Sequence, residues 1–259
     1  MTLTVGGITF LVWMNWSPTN LKDRALVIVV ESNGNMAEED VQFYQDNKYL
    51  ADFVLTTFFG VPKSDLESKP ILEVLDTSID SGLAGMLSRF ARGYGTIIAL
   101  TGEQASIENF SKTLGELADK KLTTDLILFM HGNDNLMYFR SELIRASDLP
   151  VWIPKSNLGY VYQVNCYGKT NSEAWIKTGA KAVSGATGIN AMVIMSPNLF
   201  VRSMVYGKNF QNAVSGAYEK EVYSWKAAKL FIPGVYWASD EYVNSSKPMF
   251  VGNVNYSLL

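Results

Sequence analysis

Residues Asp125–Met130 read DLILFM and are followed at once by His131-Gly132. A second apolar run, Tyr160–Asn165 (YVYQVN), is followed by Cys166. Runs of this length predict strands that are covered on both faces, as the strands of a parallel sheet are. The chain contains one histidine and one cysteine. Each of these reactive side chains is therefore predicted to stand at the carboxyl end of a buried strand.

The rest of the chain alternates between strand-like and helix-like patterns. Further strands are predicted at Ala25–Val30, Thr96–Leu100 and Lys181–Ala186, with a small hairpin at Leu136–Arg140. Helices are predicted at Glu38–Phe59, Asp80–Arg92, Ser172–Thr178, Asn198–Val205 and Asn209–Glu219. One more helix is predicted to start after Ser106, an N-cap residue, with Ile107, Phe110, Leu114 and Leu117 on one face.

This alternation predicts an α/β fold, a three-layer sandwich with a mostly parallel central sheet and helices on both faces. We expect an N-terminal arm or strand at 1–24, one α/β domain at 25–220, and a C-terminal segment at 221–259 packed on the same domain. That last segment has an irregular or β-like pattern. In parallel sheets, ligands bind beyond the carboxyl ends of the strands, which is where His131 and Cys166 are predicted to lie.

Composition limits the classes of partner. The net charge is −3 and no basic cluster is present, so we expect neither nucleic acid nor an anionic membrane surface as a partner. No run is long enough to span a membrane, and the N-terminus lacks a signal-peptide pattern. We therefore expect a cytoplasmic protein, unless the chain is a trimmed mature form of an exported one. The oligomeric state is not legible in the sequence.

We predict no cofactor. One histidine and one cysteine do not supply the usual ligand set of a zinc site, and no nucleotide-binding loop is present. The acidic run Glu38-Glu39-Asp40 leaves a calcium requirement open, but at a helix start it is explained by the helix dipole.

The pairing of His131 with Cys166 points to nucleophilic catalysis. A thiolate is a strong nucleophile, and an imidazole can take its proton and later protonate a leaving amine. The backbone N–H groups of Gly132 and Cys166 are candidate donors to a developing oxyanion. Taken alone, a cysteine at a strand end is more often a small buried apolar residue, and a His-Gly pair is more often a turn. It is their joint placement that favours the catalytic interpretation.

With these features the chain resembles the caspase-like cysteine peptidases, a superfamily that includes caspases, metacaspases, legumains, gingipains, clostripains and separases. The resemblance lies in the hydrophobic blocks before His131-Gly132 and before Cys166. Residues Glu103–Asn109 and Gly179–Gly185 are also similar to segments of that superfamily. By this resemblance His131 and Cys166 form a catalytic dyad, Gly132 contributes to the oxyanion hole, and the reaction is endopeptidase cleavage of a peptide or protein.

Two residues depart from the family pattern. Val164 stands where many members carry an acidic residue or Gln that lines the specificity pocket, so we predict an apolar, substrate-binding pocket floor there. Met130 stands where Ser or Gly is common before the histidine. Asp134, Asp148 and Asp240 are alternative acids for the pocket. Two other functions stay open: a catalytically silent caspase-like domain used for binding or as a scaffold, and a different thiol enzyme such as an acyltransferase or amidase.

Overall fold

The structure is a computed structural model that describes residues 2–5, 8–11, 20–31, 48–49, 52, 56, 62–68, 71–140, 142–153, 156–193, 195–229 and 239–258. Its strands are β1 (Thr2–Val5), β2 (Ile8–Leu11), β3 (Leu21–Glu31), β4 (Tyr94–Thr101), β5 (Thr123–Met130), β6 (Gly132–Asn133), β7 (Leu136–Phe139), β8 (Glu142–Arg145), β9 (Leu158–Gln163), β10 (Ala182–Ala186) and β11 (Pro248–Gly252). Its helices are α1 (Lys63–Ser68), α2 (Ile71–Phe90), α3 (Ile107–Asp119), α4 (Leu149–Trp152), α5 (Gly168–Lys177), α6 (Ser196–Val205), α7 (Phe210–Ala228) and α8 (Asp240–Ser245).

A six-stranded sheet forms the centre of the molecule, in the order β11-β10-β9-β5-β3-β4. All neighbouring strands are parallel except β11, which pairs antiparallel with β10. The chain passes from β3 outward to β4, returns across β3 to β5, and continues to β9 and β10. The strand order therefore reverses between β3 and β5, and such a reversal opens a crevice at the carboxyl edge of a sheet.

Both faces of the sheet are covered. Helices α2, α6 and α7 pack on one face, and α3, α4 and α5 pack on the other. The burial of both faces of β3 explains why its sequence is continuously aliphatic. Leu26, Ile28 and Val30 face the first layer, whereas the residues between them face the second, and all are fully buried. The predicted α/β architecture, with a mostly parallel sheet between two helical layers, is confirmed.

The helix after Ser106 is confirmed in detail. The Ser106 side chain accepts a hydrogen bond from the backbone N–H of Asn109, which makes it the N-cap of α3. The four apolar residues predicted to share a face are all buried. The predicted helix over Glu38–Phe59 lies almost entirely outside the described residues.

Several bounds of helices and strands differ from the predicted ones. Helix α2 begins at Ile71, nine residues before the predicted start at 80, because the sequence signal came from its C-terminal half, where Leu83 and Leu87 pack on the sheet. The C-terminal segment contains α8 as well as β11. The 24/25 boundary falls within β3, and the boundary at 220/221 falls within α7.

Helix α7 continues past the predicted end at Glu219 to Ala228, and a residue of the added part makes a tertiary contact. Glu221 is fully buried and accepts a hydrogen bond from the backbone N–H of Ser196, at the start of α6. A buried carboxylate is tolerated when such donors satisfy it. A local sequence pattern does not reveal this partner, which is 25 residues away in the chain.

Candidate active site at the carboxyl ends of β5 and β9

His131 follows directly on β5, at the edge of the sheet next to the reversal in strand order. Its side chain is exposed, and its backbone carbonyl accepts a hydrogen bond from the N–H of Tyr138. The residues after it, Gly132 and Asn133, form β6, which turns back into the small sheet β6-β7-β8. The hairpin that was predicted over Leu136–Arg140 is thus part of a three-stranded sheet that begins immediately after His131.

Cys166 lies in a sharp turn between β9 and α5. The strand ends at Gln163, two residues before the predicted end, although the N–H of Val164 still bonds to the carbonyl of Leu128. Tyr167 adopts a left-handed conformation with φ of 54°, and α5 begins at the next residue. Cys166 therefore follows the carboxyl end of the strand, as predicted, and lies in the turn that immediately precedes a helix.

This turn is compact because two glycines let the backbone segments approach each other. A Cβ atom built on Gly185 of β10 would lie 2.3 Å from the backbone carbonyl carbon of Gly168, the first residue of α5. Any other residue at 185 would force α5 away from the sheet. The position of Cys166 relative to the strands therefore depends on this glycine contact.

The His131-Gly132 segment packs against the Cys166 turn. A Cβ atom built on Gly132 would lie 2.6 Å from the carbonyl oxygen of Cys166 and 2.5 Å from the side-chain nitrogen of Asn165. Real Cβ atoms do not approach this closely, so only glycine allows the two turns to meet. Gly132 and the Cys166 turn are therefore in close contact, and His131 is the neighbour of Gly132, so the three residues follow the carboxyl ends of the neighbouring parallel strands β5 and β9.

A second contact fastens the β6–β7 hairpin to the helix that follows the cysteine. The backbone N–H of Asn135, in the tight turn of the hairpin, donates to Thr170 Oγ1 at 2.7 Å. The side-chain amide of Asn171 donates to the carbonyl of Leu136 at 3.5 Å. These bonds join the chain just after His131 to the first turns of α5, and so restrain the distance between the two halves of the site.

The Cys166 thiol is half-buried, and this burial raises its pKa. The backbone N–H of Asn190 opposes the shift, because it donates to Sγ at 3.4 Å and so favours the thiolate. The nearby N-terminus of α5 also favours negative charge. The resting thiol is thus predominantly protonated at neutral pH, and a nucleophilic role requires a base.

Asn190 is a site residue that the sequence analysis missed. Besides its contact with Sγ, its side-chain amide donates to the carbonyl of Val164 at 2.9 Å. Its side-chain oxygen accepts from the N–H of Met192 at 3.1 Å. Asn190 follows β10, so the argument applied to the ends of β5 and β9 also applies to the next parallel strand. Extending that argument to the loop after Ala186 would have indicated this region.

Val164 lies in the core, whereas the sequence predicts it at the floor of a substrate pocket. Its side chain is only 4% exposed and belongs to the core cluster. A substrate contact for Val164 stays a prediction. Of the alternative acids, Asp134, Asp148 and Asp240 are all exposed.

A pocket lies beside the Cys166 turn, between the β9–β10 end of the sheet and the helices α6 and α7. Asn190 is part of its wall, together with Tyr162 of β9 and Ser184 of β10. Val164 and the three aspartates above are not among its lining residues. The pocket is small: the space inside it is about 10 Å³, which is room for about one water molecule.

Among the described residues, no three or more His, Cys, Asp or Glu side chains come together as a possible metal site. In the same part of the chain, no helix has the length and apolar character needed to cross a membrane.

Solved structures provide the similarity to known proteins. No protein-family model matches the sequence, and no curated protein does. Among solved structures, the chain is similar to a secreted C11 cysteine protease from Bacteroides thetaiotaomicron in complex with an irreversible peptide inhibitor, with a TM-score of 0.42 and 8% identity. The match covers 78% of this chain and 59% of the protease, so the chain spans less than two thirds of that protein. The function argued below therefore rests on this chain's own residues.

Proposed function

We propose that the protein is a cysteine endopeptidase of the caspase-like type that its sequence resembles. Cys166 is the nucleophile and His131 is the general base and acid. The backbone N–H groups of Gly132 and Cys166 receive the developing oxyanion. The substrate is a peptide or protein, and the reaction needs no cofactor.

The observation that carries the proposal is the contact between Gly132 and the Cys166 turn. It supports a shared site because the only histidine and the only cysteine of the chain flank it, at the carboxyl ends of neighbouring parallel strands. His131 and Cys166 are far apart in the sequence. A purely structural turn would not require both reactive side chains at this one edge of the sheet.

The reaction proceeds through a thioester. The Cys166 proton passes to the His131 imidazole while Sγ attacks the scissile carbonyl carbon, and the oxyanion is stabilised by backbone N–H groups. The C–N bond then breaks, and the imidazolium returns the proton to the leaving amine. Water, deprotonated by the same imidazole, hydrolyses the thioester and regenerates the thiol. Because burial raises the pKa of Cys166, proton transfer to His131 must accompany the attack.

The test is digestion of a diverse peptide library by the purified protein, read by mass spectrometry. We expect cuts with the wild type and none with Cys166→Ala or His131→Ala, while both variants keep the thermal unfolding midpoint of the wild type within a few degrees. Ser147→Ala, which changes an exposed residue, is the control and should cut like the wild type. Peptide cleavage that persists in Cys166→Ala would refute the proposal.

A catalytically silent binding domain is the second candidate. The observation that favours it is the raised pKa of Cys166, because a resting thiol that is mainly protonated is less reactive than the activated thiolates of many thiol enzymes. This candidate predicts that the wild type cuts no peptide of the library.

A further inference from the structure

The loop that follows β10, residues 187–191, contacts the Cys166 turn at three points. Its Gly188 carbonyl accepts a hydrogen bond from the N–H of Tyr167 at 2.7 Å. The backbone N–H of Asn190 donates to Cys166 Sγ at 3.4 Å, and the side-chain amide of Asn190 donates at 2.9 Å to the carbonyl two residues before the cysteine. These bonds fall before, at and after Cys166, so the loop helps to fix the position of the sulfur.

The same loop is also bonded to the end of α8. The N–H of Ala191 donates to Ser246 Oγ at 2.7 Å. The N–H of Gly188 donates to the carbonyl of Ser245 at 2.9 Å. The loop therefore connects the last residues of α8 to the Cys166 turn, although these two segments are far apart in the sequence.

The Ser246 hydroxyl is fixed at both of its functions. Ser246 is only 4% exposed, and its Oγ donates to the carbonyl of Tyr242 in α8 at 2.7 Å while it accepts from Ala191. A hydroxyl that donates to one segment and accepts from another holds the two segments at a set distance. Alanine at 246 would leave the Ala191 N–H without this acceptor and would loosen the loop.

The position of the Asn190 N–H matters because the sulfur becomes negative when the thiol loses its proton. Burial raises the pKa of Cys166, and the N–H of Asn190 lowers it in part because a donor favours the thiolate. The loop itself carries no titratable side chain. The titratable side chains of the segments around it are His131 and Asp134 after β5, Tyr167 in the turn, Lys169 and Glu173 in the first turns of α5, and Lys247 after α8.

We propose that Ser246 is a positioning residue for the Cys166 thiol: it holds the 187–191 loop so that the Asn190 N–H stays on the sulfur, and it thereby couples the end of α8 to the reactivity of the site. The inference rests on the proposed function, because it concerns the thiol that this function uses as the nucleophile. As the proton leaves Sγ for His131, a fixed N–H stabilises the negative charge that develops on the sulfur.

The test measures the rate at which iodoacetamide alkylates the protein as a function of pH. Cys166 is the only cysteine of the chain, so the signal comes from this thiol. The midpoint of the profile reports the thiol pKa, whereas the plateau reports how easily the reagent reaches the sulfur. We expect Ser246→Ala to raise the midpoint by about 0.4 to 1 unit, as the loss of one ordinary hydrogen bond implies, and to slow peptide cleavage.

Thr187 provides a matched pair of variants that disturbs the packing less. Its hydroxyl, in the same loop, donates to the carbonyl of Ser245 at 2.9 Å. Thr187→Val removes this hydroxyl and keeps the shape of the side chain, so we expect it to raise the thiol midpoint as well. Thr187→Ser keeps the hydroxyl and should titrate like the wild type. This pair tests the same contact between the loop and α8 if Ser246→Ala fails to fold.

Ser106→Ala is the control for a loss of stability alone. The Ser106 hydroxyl caps α3 by accepting from the N–H of Asn109, and it belongs neither to the loop nor to α8. Loss of an N-cap lowers stability, so the thermal midpoint of this variant should fall. Its thiol midpoint should stay within about 0.2 unit of the wild type.

The outcomes separate the positioning role from the peptidase. If Ser246→Ala and Thr187→Val lower the thermal midpoint but keep the thiol midpoint of the wild type, the role of the contact is merely structural and the inference is wrong. A lower thiol midpoint, as greater exposure of the sulfur to water would produce, overturns it too. A raised thiol midpoint in a protein that cuts no peptide supports the positioning role and refutes the peptidase, whereas peptide cleavage with unchanged thiol midpoints in the variants does the reverse.

Discussion

At the scale of single residues, two opposing influences act on the pKa of the Cys166 thiol. Burial raises the pKa of its thiol, and the backbone N–H of Asn190 lowers it in part. The pKa of free cysteine is about 8.5. Since a raised pKa leaves less thiolate at neutral pH, we expect the rate of iodoacetamide alkylation to increase with pH through a midpoint above that of free cysteine.

The measurement is the alkylation rate of the native protein between about pH 6 and pH 11, beside N-acetylcysteine as the reference thiol. His131→Ala should leave this midpoint within a few tenths of a unit if the imidazole acts only during attack. A midpoint below about 7 would contradict the prediction and would indicate a preformed thiolate–imidazolium pair.

At the scale of elements, the site depends on how the β6–β7 hairpin packs against the turn before α5. Gly132→Ala places a methyl group about where the Cys166 carbonyl and the Asn165 amide now lie. We expect the hairpin to shift, with a loss of about 1–3 kcal/mol in the free energy of unfolding and at least a tenfold loss of peptide cleavage. Urea unfolding and the library digestion measure the two effects.

Gly85→Ala is the control for this prediction. Gly85 is exposed on α2, and a Cβ atom there meets nothing within 4 Å. Alanine in an exposed helix is more stable than glycine by up to about 1 kcal/mol, so this variant should unfold at the same or higher urea concentration and cut normally. If Gly132→Ala behaved like Gly85→Ala, the close packing of the two turns would not be required for the site.

At the scale of the whole molecule, a buried polar network joins distant parts of the chain at the end of the sheet opposite to Cys166. Asp125 of β5 is fully buried and accepts hydrogen bonds from Arg24 of β3 at 2.7 Å and from the Tyr94 hydroxyl of β4 at 2.9 Å. It also accepts from the backbone N–H of Tyr160 of β9. Arg24 donates in addition to the Tyr256 hydroxyl in the C-terminal segment. The network therefore connects four strands and the end of the chain.

We expect Asp125→Ala to lower the free energy of unfolding by about 3–5 kcal/mol, because it leaves the partly buried Arg24 without its counter-ion. Asp240→Ala is the contrast: its carboxylate is 88% exposed and 3.7 Å from Lys226, so its loss should change stability little. Urea denaturation of both variants checks this. An Asp125→Ala midpoint equal to that of Asp240→Ala would show that the network does not stabilise the fold.

The sequence determined at which edge of the sheet His131 and Cys166 stand. Burial on both faces and the end of an apolar run are local properties, so β3, β5, β9 and the cap at Ser106 could be predicted from short stretches. Only the tertiary structure decided that β10 brings Asn190 to the Cys166 sulfur, 24 residues away in the chain, and that Ser246 holds Ala191 from a distance of 55 residues. It also decided that α7 continues past Glu221 and that Ser184 lines a pocket. The physical reason is that these roles arise from contacts between residues far apart in sequence, and such contacts leave no periodic pattern in the chain.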